Sequence, residues 1–409
     1  MTQPPRALLS PEDYRQRGAY ILALMSGTSV DTIDAAVCRV QTSPQGRYTC
    51  EVLAFHEHPM EDRLRQRIFQ VFADGDQSLS LGCSLNFEIG EAFASAAQAT
   101  LDAIGDLAEQ VDVIASHGQT LYHIAPHMVN APGRQWTAST LQVGESSVMA
   151  LRTGRPVIDD FRVADMAAGG NGAPLVPFAD YHLFSQPGKG IVVHNLGGIA
   201  NCTWLPPSGN SNEVLAFDTG PANMIIDALV SHFWPGQSYD HDGEHAARGR
   251  VLSDLLAEWM SIPYIDAPPP KSTGRELFGV QFVQKILEQN RDATAEDLLA
   301  TAVELTAQSF ARNLALHICP RGKIDAAYLA GGGARNPFLV TRIQSALAEI
   351  TPLVTTLDDA GSTITSKSRE CAGFALMAYA HLLGDPANLP SVTGATRAVV
   401  LGKLTPGLG

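Results

Sequence analysis

The sequence predicts an α/β fold that is duplicated into two domains. Strand-like apolar runs alternate with helical runs, the pattern restarts near residue 190, and a chain of 409 residues is too long for one ordinary core. The repeated unit far exceeds the roughly 20–50 residues of a solenoid repeat, so the halves are domains. We assign residues 1–188 to the first domain and 189–409 to the second, whose C-terminal segment is a candidate to pack back on the first.

The first half begins with an apolar strand at residues 21–25, a polar turn and a second strand that runs to Val40. Helical patterns follow over residues 60–104. Residues 111–116 and 155–161 then form short apolar runs that end in polar side chains. Such runs are typical of buried strands that deliver polar groups at their carboxyl ends.

The second half repeats this order. It begins with a strand, a glycine turn and a second strand. A third strand then ends on an acid. Two helical patterns follow, and a last strand leads into three glycines. These elements are predicted at residues 191–204, 215–220, 224–233, 295–316 and 326–330. The repetition supports a duplicated fold.

The composition predicts a cytoplasmic protein that binds neither nucleic acid nor membranes. A formal net charge of −14 disfavours a partner with a phosphate backbone. No apolar run approaches the roughly 20 residues of a membrane helix, and the first residues lack a signal-peptide core. The six cysteines are scattered without metal-ligand spacing, so we expect reduced thiols.

A hydroxyl-rich turn between the first two strands carries the strongest local signal. Ser26, Gly27, Thr28 and Ser29 lead to Asp31. Backbone N–H groups at a glycine turn, with short hydroxyls beside them, can hold phosphate oxygens, and an acid beyond the turn can hold Mg²⁺. A β-hairpin with a polar turn explains the segment equally well.

Two turns of the second half favour the nucleotide hypothesis. One contains Asp218, Thr219 and Gly220, and the other begins with three consecutive glycines at 331–333. An ATP site between two halves needs a turn for each phosphate region and a glycine segment against which adenosine can lie. Taken alone, the three glycines are better explained as a tight strand-to-helix turn. Neither GxxxxGK[ST] nor GxGxxG occurs, which disfavours a Walker-type ATPase and a Rossmann dehydrogenase.

A series of ordered motifs gives the chain a family resemblance. The motifs are Met25-Ser26-Gly27-Thr28-Ser29 with Asp31 and Asp34, Ser116-His117-Gly118-Gln119-Thr120 with His123, Thr140-Leu141-Gln142-Val143-Gly144, Asp160-Phe161-Arg162 with Asp165, Gly172-Ala173-Pro174, Gly197-Gly198-Ile199-Ala200-Asn201, Phe217-Asp218-Thr219-Gly220-Pro221, Lys271-Ser272-Thr273-Gly274-Arg275-Glu276 and Gly331-Gly332-Gly333. Over most of the chain they resemble the motifs of anhydro-N-acetylmuramic acid kinases. The resemblance implies a duplicated actin-like, ribonuclease H-like two-domain fold with a central nucleotide cleft.

The resemblance also implies an unusual reaction on a cell-wall sugar. The 1,6-anhydro ring of 1,6-anhydro-N-acetylmuramic acid is hydrolysed while ATP phosphorylates O6, which gives N-acetylmuramic acid 6-phosphate. Water that attacks C1 must lose a proton, so a base is required. By motif, that base is Asp165. The structural alternative for Asp165 is an acid that caps a helix or forms a salt bridge beside the glycine-rich loop.

The same resemblance assigns binding roles, with ATP and Mg²⁺ as cofactors. The nucleotide-binding positions are Ser26, Gly27, Thr28, Ser29, Val30, Asp31, Thr32, Ile33, Asp34, Asp218, Thr219, Gly220, Gly331, Gly332, Gly333 and Asn336, of which Asp31 holds the metal. The substrate-binding positions are His123, Gln142, Asn171 and Glu370. A satisfied core histidine is the alternative for His117, and structural acids are the alternative for Asp34 and Asp160.

Two other functions stay open at this point. Levoglucosan kinases share the fold and the chemistry but act on a smaller anhydro sugar, and residues 119–123 and 140–144 look like the muramic acid version. A non-catalytic nucleotide-binding relative is the second alternative, which the retention of Asp31 and Asp165 disfavours. The family also suggests a homodimer. Departures from the family's usual residues occur at Thr32, Ala222, His241 and Lys367.

Overall fold

The computed structural model describes residues 7–27, 29–74, 79–129 and 136–407, so Thr28 lies outside the described residues. The chain divides into two compact units. Unit 1 contains the chain up to Leu183 and again from Ser368 onward, and unit 2 is the continuous segment Phe184–Lys367. The sequence-based boundary at 188 lies close to the end of the first segment, and the residues from Ser368 group with unit 1.

The described residues form a mixed α/β structure. The strands are β1 (Ala19–Met25), β2 (Thr32–Thr42), β3 (Tyr48–Pro59), β4 (Val113–Ser116), β5 (Gln119–Ile124), β6 (Ser139–Val143), β7 (Val157–Asp159), β8 (Ile191–Leu196), β9 (Ile199–Leu205), β10 (Leu215–Pro221), β11 (Ala326–Ala330), β12 (Val354–Thr356) and β13 (Lys403–Thr405). The helices are α1 (Pro11–Arg17), α2 (Asp62–Asp74), α3 (Leu79–Ala103), α4 (Ser146–Thr153), α5 (Val163–Ala167), α6 (Val176–Phe184), α7 (Asn223–Phe233), α8 (Ser253–Met260), α9 (Pro263–Asp266), α10 (Arg275–Phe278), α11 (Val280–Gln289), α12 (Ala295–Asn313), α13 (Pro337–Ala346), α14 (Arg369–Leu383) and α15 (Pro390–Thr393).

Both units are built on sheets with one strand order. In unit 1 the order is β13-β7-β4-β1-β2-β3, and β1, β4 and β7 are parallel while β2 and β3 run antiparallel to their neighbours. In unit 2 the order is β10-β9-β8-β11-β12, with the same division into an antiparallel meander and parallel strands. The shared order confirms the predicted duplication. Unit 1 adds β13 at one edge and a separate ribbon of β5 and β6.

Apolar packing places the central strands and helices. Leu22 and Leu24 of β1 are fully buried in one core with Ile89 and Phe93 of α3. The helix α14 also packs against β1 and is buried over nearly its whole length. It ends at Gly384, whose φ of 72° suits a glycine C-cap. In unit 2 the helix α12 holds the corresponding central position, with most of its side chains buried.

The predicted elements are confirmed with small shifts of their ends. The strand predicted at 21–25 is part of β1, the one at 111–116 contains β4, and the one at 326–330 coincides with β11. The helical range 60–104 contains α2 and α3. The strand β3 was not predicted, because its outward side chains include several charged and histidine residues that mask the alternation. No helix among the described residues is long and apolar enough to cross a membrane.

Candidate active site

Three strands of unit 1 bring predicted site residues to one edge of the sheet. Because β1, β4 and β7 are parallel neighbours, their carboxyl ends lie on the same side. Ser26 follows β1, His117 follows β4 and Asp160 follows β7. The backbone N–H of His117 donates to the Leu24 carbonyl oxygen at 3.0 Å, which ties the first two ends together.

The turn after β1 joins two antiparallel strands, so the segment is a β-hairpin. Because a phosphate loop can also lie at the tip of a hairpin, the role of the turn in phosphate binding stays a prediction. The side chain of Ser26 is buried, and its Oγ has no hydrogen-bond partner among the described residues. Gly27 faces open space, since a Cβ there would meet no atom within 4 Å. A buried hydroxyl without a partner costs roughly 1–3 kcal/mol, so a ligand oxygen that accepts its proton fits this position.

Two further buried polar atoms of this region lack partners among the described residues. They are Ser116 Oγ at the end of β4 and Gln119 Oε1 on β5. Gln119 Nε2 donates weakly to the Gly27 carbonyl oxygen at 3.4 Å, which places this side chain beside the turn. Buried polar groups without partners are rare in folded proteins, and three of them around one turn fit a polar ligand.

The acids of the hairpin differ in their surroundings. Asp31 is half exposed and forms an ion pair with Arg65, from Nη2 to Oδ1 at 2.5 Å. Asp34 lies on β2 and accepts a hydrogen bond from Thr32 Oγ1 at 2.9 Å. Mg²⁺ needs only one or two protein carboxylates when phosphates and water complete its shell, so Asp31 fits the metal role. No cluster of three metal-ligating side chains occurs in the part of the chain that the structure describes.

Two apolar residues of the hairpin have side chains that face the core and not the turn. Val30 and Ile33 are buried in the core of unit 1. Val30 has a φ of 55°, which is the left-handed region that β-branched residues rarely adopt. Strained backbone of this kind is frequent at ligand-binding turns.

Asp165 lies on the short helix α5 and is fully buried. Its Oδ2 accepts the backbone N–H of Gly172 at 2.8 Å. Its Oδ1 accepts Asn388 Nδ2 at 2.6 Å and Thr393 Oγ1 at 2.7 Å. A Cβ on Gly170 would overlap the carboxylate, so only glycine fits beside it. The carboxylate therefore anchors the glycine-rich loop, and its role as a base stays a prediction.

Arg162 holds the neighbouring His117 in place. Arg162 Nε and Nη2 lie 3.0 and 2.9 Å from His117 Nε2, and His117 Nδ1 lies 2.9 Å from the Gly118 carbonyl oxygen. Burial, and next the charge of Arg162, lower the pKa of His117 to about 3. The ring is therefore neutral and both nitrogens are used, which confirms the interpretation as a satisfied core histidine.

Two predicted substrate residues lie on the ribbon of β5 and β6. His123 Nδ1 lies 3.0 Å from Thr140 Oγ1, and Gln142 Nε2 donates to the same oxygen at 2.8 Å. Gln142 Oε1 is buried and has no partner among the described residues. The ribbon thus brings the two residues together, as their separate motifs predicted, while contact with substrate stays untested.

The other two predicted substrate residues belong to different elements of unit 1. Asn171 is tied to the Thr393 carbonyl oxygen by its N–H at 2.8 Å and its Nδ2 at 3.0 Å. Glu370 is the second residue of α14. Burial raises the pKa of Glu370, and the nearby charges of Arg369 and Arg162 oppose that rise. Asn171 is therefore held in place by a backbone carbonyl group, whereas Glu370 is an acid close to two cationic side chains.

In unit 2, Asp218 is held by a segment that is distant in sequence. The Thr273 N–H donates to Asp218 Oδ2 at 2.9 Å, and the Asp218 N–H donates to the Lys271 carbonyl oxygen at 3.2 Å. Burial raises the pKa of Asp218 to about 6 and lowers the pKa of Lys271 to about 8. Lys271 Nζ donates to the Tyr264 and Ile265 carbonyl oxygens, so it does not pair with this carboxylate.

The next two residues of that strand present backbone to any ligand. Thr219 is fully buried, and its Oγ1 lies 3.0 Å from His194 Nε2. Gly220 has a φ of 146° at an irregularity in the pairing of β10 with β9. A Cβ there would lie 2.9 Å from Ser309 Oγ, which restricts the position to glycine.

The three glycines after β11 form the tight strand-to-helix turn that was the simpler explanation. Gly331 has a φ of 81°, and a Cβ on Gly333 would lie 2.8 Å from the Leu196 side chain. Gly332 has room, since the nearest atom to a Cβ would be 3.8 Å away. Asn336 caps α13, because its Oδ1 accepts the Leu339 N–H at 3.0 Å. The adenosine role of this turn stays a prediction.

Asp227 of α7 gives unit 2 a pH-dependent stability. Burial, and next the charge of Asp240, raise the pKa of Asp227 to about 7. A carboxyl whose pKa rises on folding stabilises the protein below its unfolded value near 3.8, and that contribution is lost as the pH rises through about 7. We expect Asp227→Asn to raise the free energy of unfolding at pH 8 by on the order of 2 kcal/mol. This gain is smaller than the pKa shift alone would give, because solvent screens the partly exposed carboxyl group. Urea unfolding at pH 5 and pH 8 measures this.

The matched control for this prediction is the exposed Asp292, also in unit 2. Asp292→Asn is expected to leave the difference between the two pH values as it is in the unchanged protein. An equal gain for Asp227→Asn at pH 5 and pH 8 would contradict the role of its titration.

The comparison with known sequences decides the family. A family model described as anhydro-N-acetylmuramic acid kinase matches residues 19–407. The chain belongs to this family. A relative with that name from Caldanaerobacter subterraneus subsp. tengcongensis is 40% identical over 396 residues, which cover 96% of this chain and 98% of the relative. Another from Bacillus cereus is 39% identical over 386 residues, which cover 94% and 99% of the two chains.

Solved structures share a much lower sequence identity with this chain than these relatives do. The ROK family glucokinase from Streptomyces griseus, in complex with glucose and AMPPNP, aligns at 12% identity with a TM-score of 0.36 and covers 88% of this chain and 99% of that chain. The activator of 2-hydroxyisocaproyl-CoA dehydratase from Clostridium difficile, with bound ADPNP, aligns at 11% identity with a TM-score of 0.41 and covers 89% and 95%. Because both scores are below 0.5, the assignment to the anhydro-N-acetylmuramic acid kinase family rests on the sequence matches.

Three of the four departures from the anhydro-N-acetylmuramic acid kinase pattern have the following surroundings, and nothing in the structure explains the fourth, Lys367. Thr32 ties Asp34 through its hydroxyl. Ala222 is buried immediately before α7. His241 is exposed, with its Nδ1 3.3 Å from Asp242 Oδ2. None of these three contacts Asp165 or the unpartnered hydroxyl of Ser26.

The sequence analysis did not identify two residues that contact Asp165. Asn388 and Thr393 are separated from Asp165 by 223 and 228 positions. They lie in and just before the four-residue helix α15, where no periodic pattern draws attention to them. The only sequence signal is a polar pair around Pro390 in a segment near the C-terminus, which is too common to indicate a site.

Proposed function

We propose that this chain is an ATP-dependent kinase of 1,6-anhydro-N-acetylmuramic acid. It hydrolyses the 1,6-anhydro bond and phosphorylates O6, which gives N-acetylmuramic acid 6-phosphate. The observation that carries the proposal is the family match over residues 19–407. A cytoplasmic location follows from the use of ATP and accords with six cysteines that are all free thiols.

The nucleotide role of the β1–β2 hairpin is supported by its unpartnered polar atoms. Ser26 Oγ is buried and has a proton to donate, and Gly27 leaves the backbone open. We assign the phosphates to Ser26, Gly27, Thr28 and Ser29. Mg²⁺ bound through Asp31 would neutralise charge on the phosphates. In unit 2 we assign nucleotide binding to Asp218, Gly220 and the glycines 331–333.

Asp165 is the base of the proposed reaction. Water attacks C1 and gives a proton to Asp165, while the C1–O6 bond breaks and its electron pair stays on O6. That oxygen then forms a bond to the γ-phosphorus as ADP leaves. The carboxylate is fully buried in this conformation, so the role requires the glycine-rich loop around Gly170 to admit a water molecule.

The choice of sugar is assigned to the ribbon of β5 and β6. His123 and Gln142 share Thr140 as a partner, and Gln142 Oε1 is a buried acceptor without a donor. An acceptor of this kind fits an amide N–H or a hydroxyl of the sugar. Levoglucosan lacks the N-acetyl and lactyl groups, so it has no amide N–H to offer to Gln142 Oε1.

A comparison of two anhydro sugars tests the proposed function. The protein is supplied with ATP and Mg²⁺ and with either 1,6-anhydro-N-acetylmuramic acid or levoglucosan, and ADP release is measured. We expect kcat/KM to be at least about 10²-fold higher for the muramic sugar, with a product that carries phosphate on O6 and a hydroxyl on C1. A preference for levoglucosan would mean that levoglucosan, and not the muramic sugar, is the substrate. Absence of sugar-dependent ADP release would indicate a non-catalytic relative.

A further inference from the structure

The carboxylate of Asp165 receives hydrogen bonds from two side chains of the C-terminal segment on a single oxygen. Asn388 Nδ2 and Thr393 Oγ1 both donate to Oδ1, at 2.6 and 2.7 Å. Asn388, Thr393 and Asp165 are each at least 96% buried. Charge-assisted bonds of this kind are short and strong, and burial strengthens them further.

The orientation of both donors is fixed by their other contacts. Asn388 Oδ1 accepts the Val399 N–H at 2.7 Å, so its amide nitrogen must be the atom that faces Asp165. The Thr393 hydroxyl can only donate to an ionised carboxylate, which has no proton to give. The Thr393 carbonyl oxygen also holds Asn171, so this one residue fixes both the acid and the loop that follows it.

The two oxygens of Asp165 are therefore unequal. Oδ1 accepts two hydrogen bonds, which occupy both of its lone pairs, whereas Oδ2 accepts one from the described residues, the Gly172 N–H at 2.8 Å. A lone pair on Oδ2 remains for a proton. The two donors on Oδ1 hold the carboxylate against rotation about its bond to Cβ.

We infer that Asn388 and Thr393 are positioning residues for the base, and that they reserve Oδ2 of Asp165 as the atom that accepts the proton of the attacking water. The inference rests on the proposed function, in which Asp165 is the base. It assigns a role in the reaction to a segment that touches no reacting atom. The proton that water loses goes to Oδ2, and the bonds to Oδ1 keep the carboxylate in one orientation while it does so.

Substitutions at Thr393 test the inference in the full-length enzyme. Thr393→Val removes the hydroxyl and keeps the shape, and we expect kcat to fall about tenfold with KM within about twofold. Thr393→Ser restores the hydroxyl and should return kcat to near its original value, which a merely structural role of the side-chain methyl group would not produce.

Thr396→Val is the matched control, since the Thr396 hydroxyl donates to the Ala168 carbonyl oxygen at 2.9 Å and not to Asp165. It should leave kcat and KM unchanged. If Thr393→Val does not fold, Thr393→Ala removes the same hydroxyl without the second methyl group and gives the same test.

The outcomes separate this inference from the proposed function. Turnover by the unchanged enzyme that Asp165→Asn abolishes, together with a Thr393→Val variant whose kcat is unchanged, would overturn the inference alone. A lower kcat that Thr393→Ser does not restore would reduce Thr393 to a structural role and also overturn it. Absence of sugar-dependent turnover in the unchanged enzyme would instead overturn the proposed function.

Discussion

Replacement of Asp165 by Asn is expected to lower sugar-dependent ADP release at least about 10³-fold while ATP still binds. An amide cannot take the proton that water loses as it attacks C1, and general base catalysis supplies roughly 10²–10⁴-fold. The nucleotide positions assigned in unit 1 belong to the β1–β2 hairpin, which does not include Asp165. ADP release measures the first effect, and calorimetric titration with ATP measures the second.

The matched control is Asp160→Asn, five residues earlier in the same motif. Asp160 forms an ion pair with Lys403 Nζ at 2.5 Å and accepts none of the bonds that hold Asp165. This variant should keep turnover within a few-fold of the original. Asp165→Asn also needs a thermal unfolding curve, because the carboxylate anchors a loop. If a folded Asp165→Asn protein turns over substrate within a few-fold of the original rate, Asp165 is not the base.

Removal of the charge on Asp180 is expected to produce the largest loss of stability among the ion pairs described above. Asp180 of α6 and Arg369 at the start of α14 form a two-point ion pair, and their side chains are 0% and 5% exposed. Asp180→Asn keeps the volume but removes the charged partner that accepts two hydrogen bonds from the buried guanidinium. We expect the free energy of unfolding to fall by about 3–5 kcal/mol, as measured by urea denaturation.

Two further variants test whether burial of the ion pair causes that loss of stability. Glu91→Gln breaks an ion pair with Arg152 whose side chains are about half exposed, and it should leave the stability unchanged within error. The double variant Asp180→Leu with Arg369→Met replaces both charges by apolar groups and should recover much of the loss. A single Asp180→Asn variant that is as stable as Glu91→Gln would contradict the buried-pair argument.

The strands and the turns at their ends could be predicted from the sequence because both leave local signals. Buried parallel strands read as short apolar runs, and the residues after β1, β4 and β11 are glycines and polar side chains. The order of these runs was enough to predict a duplicated α/β fold, and two sheets with one strand order confirm it.

The contacts of Asp165 could not be predicted, because they depend on where distant segments meet. The position of β13 beside β7 and the bonds from Asn388 and Thr393 all come from the last part of the chain. Likewise, the link between Asp218 and Thr273 joins two loops that no local pattern relates. Motif resemblance named several of these residues, but it carried no information on which atoms donate to which.

The return of the C-terminal segment to unit 1 has a consequence for biosynthesis. Unit 2 is one continuous stretch, so it can close its core while the ribosome is still adding residues. Unit 1 starts first but lacks its central helix α14 and its edge strand β13 until the residues that follow unit 2 have been added. The side chains that hold Asp165 are therefore made only after the whole of unit 2.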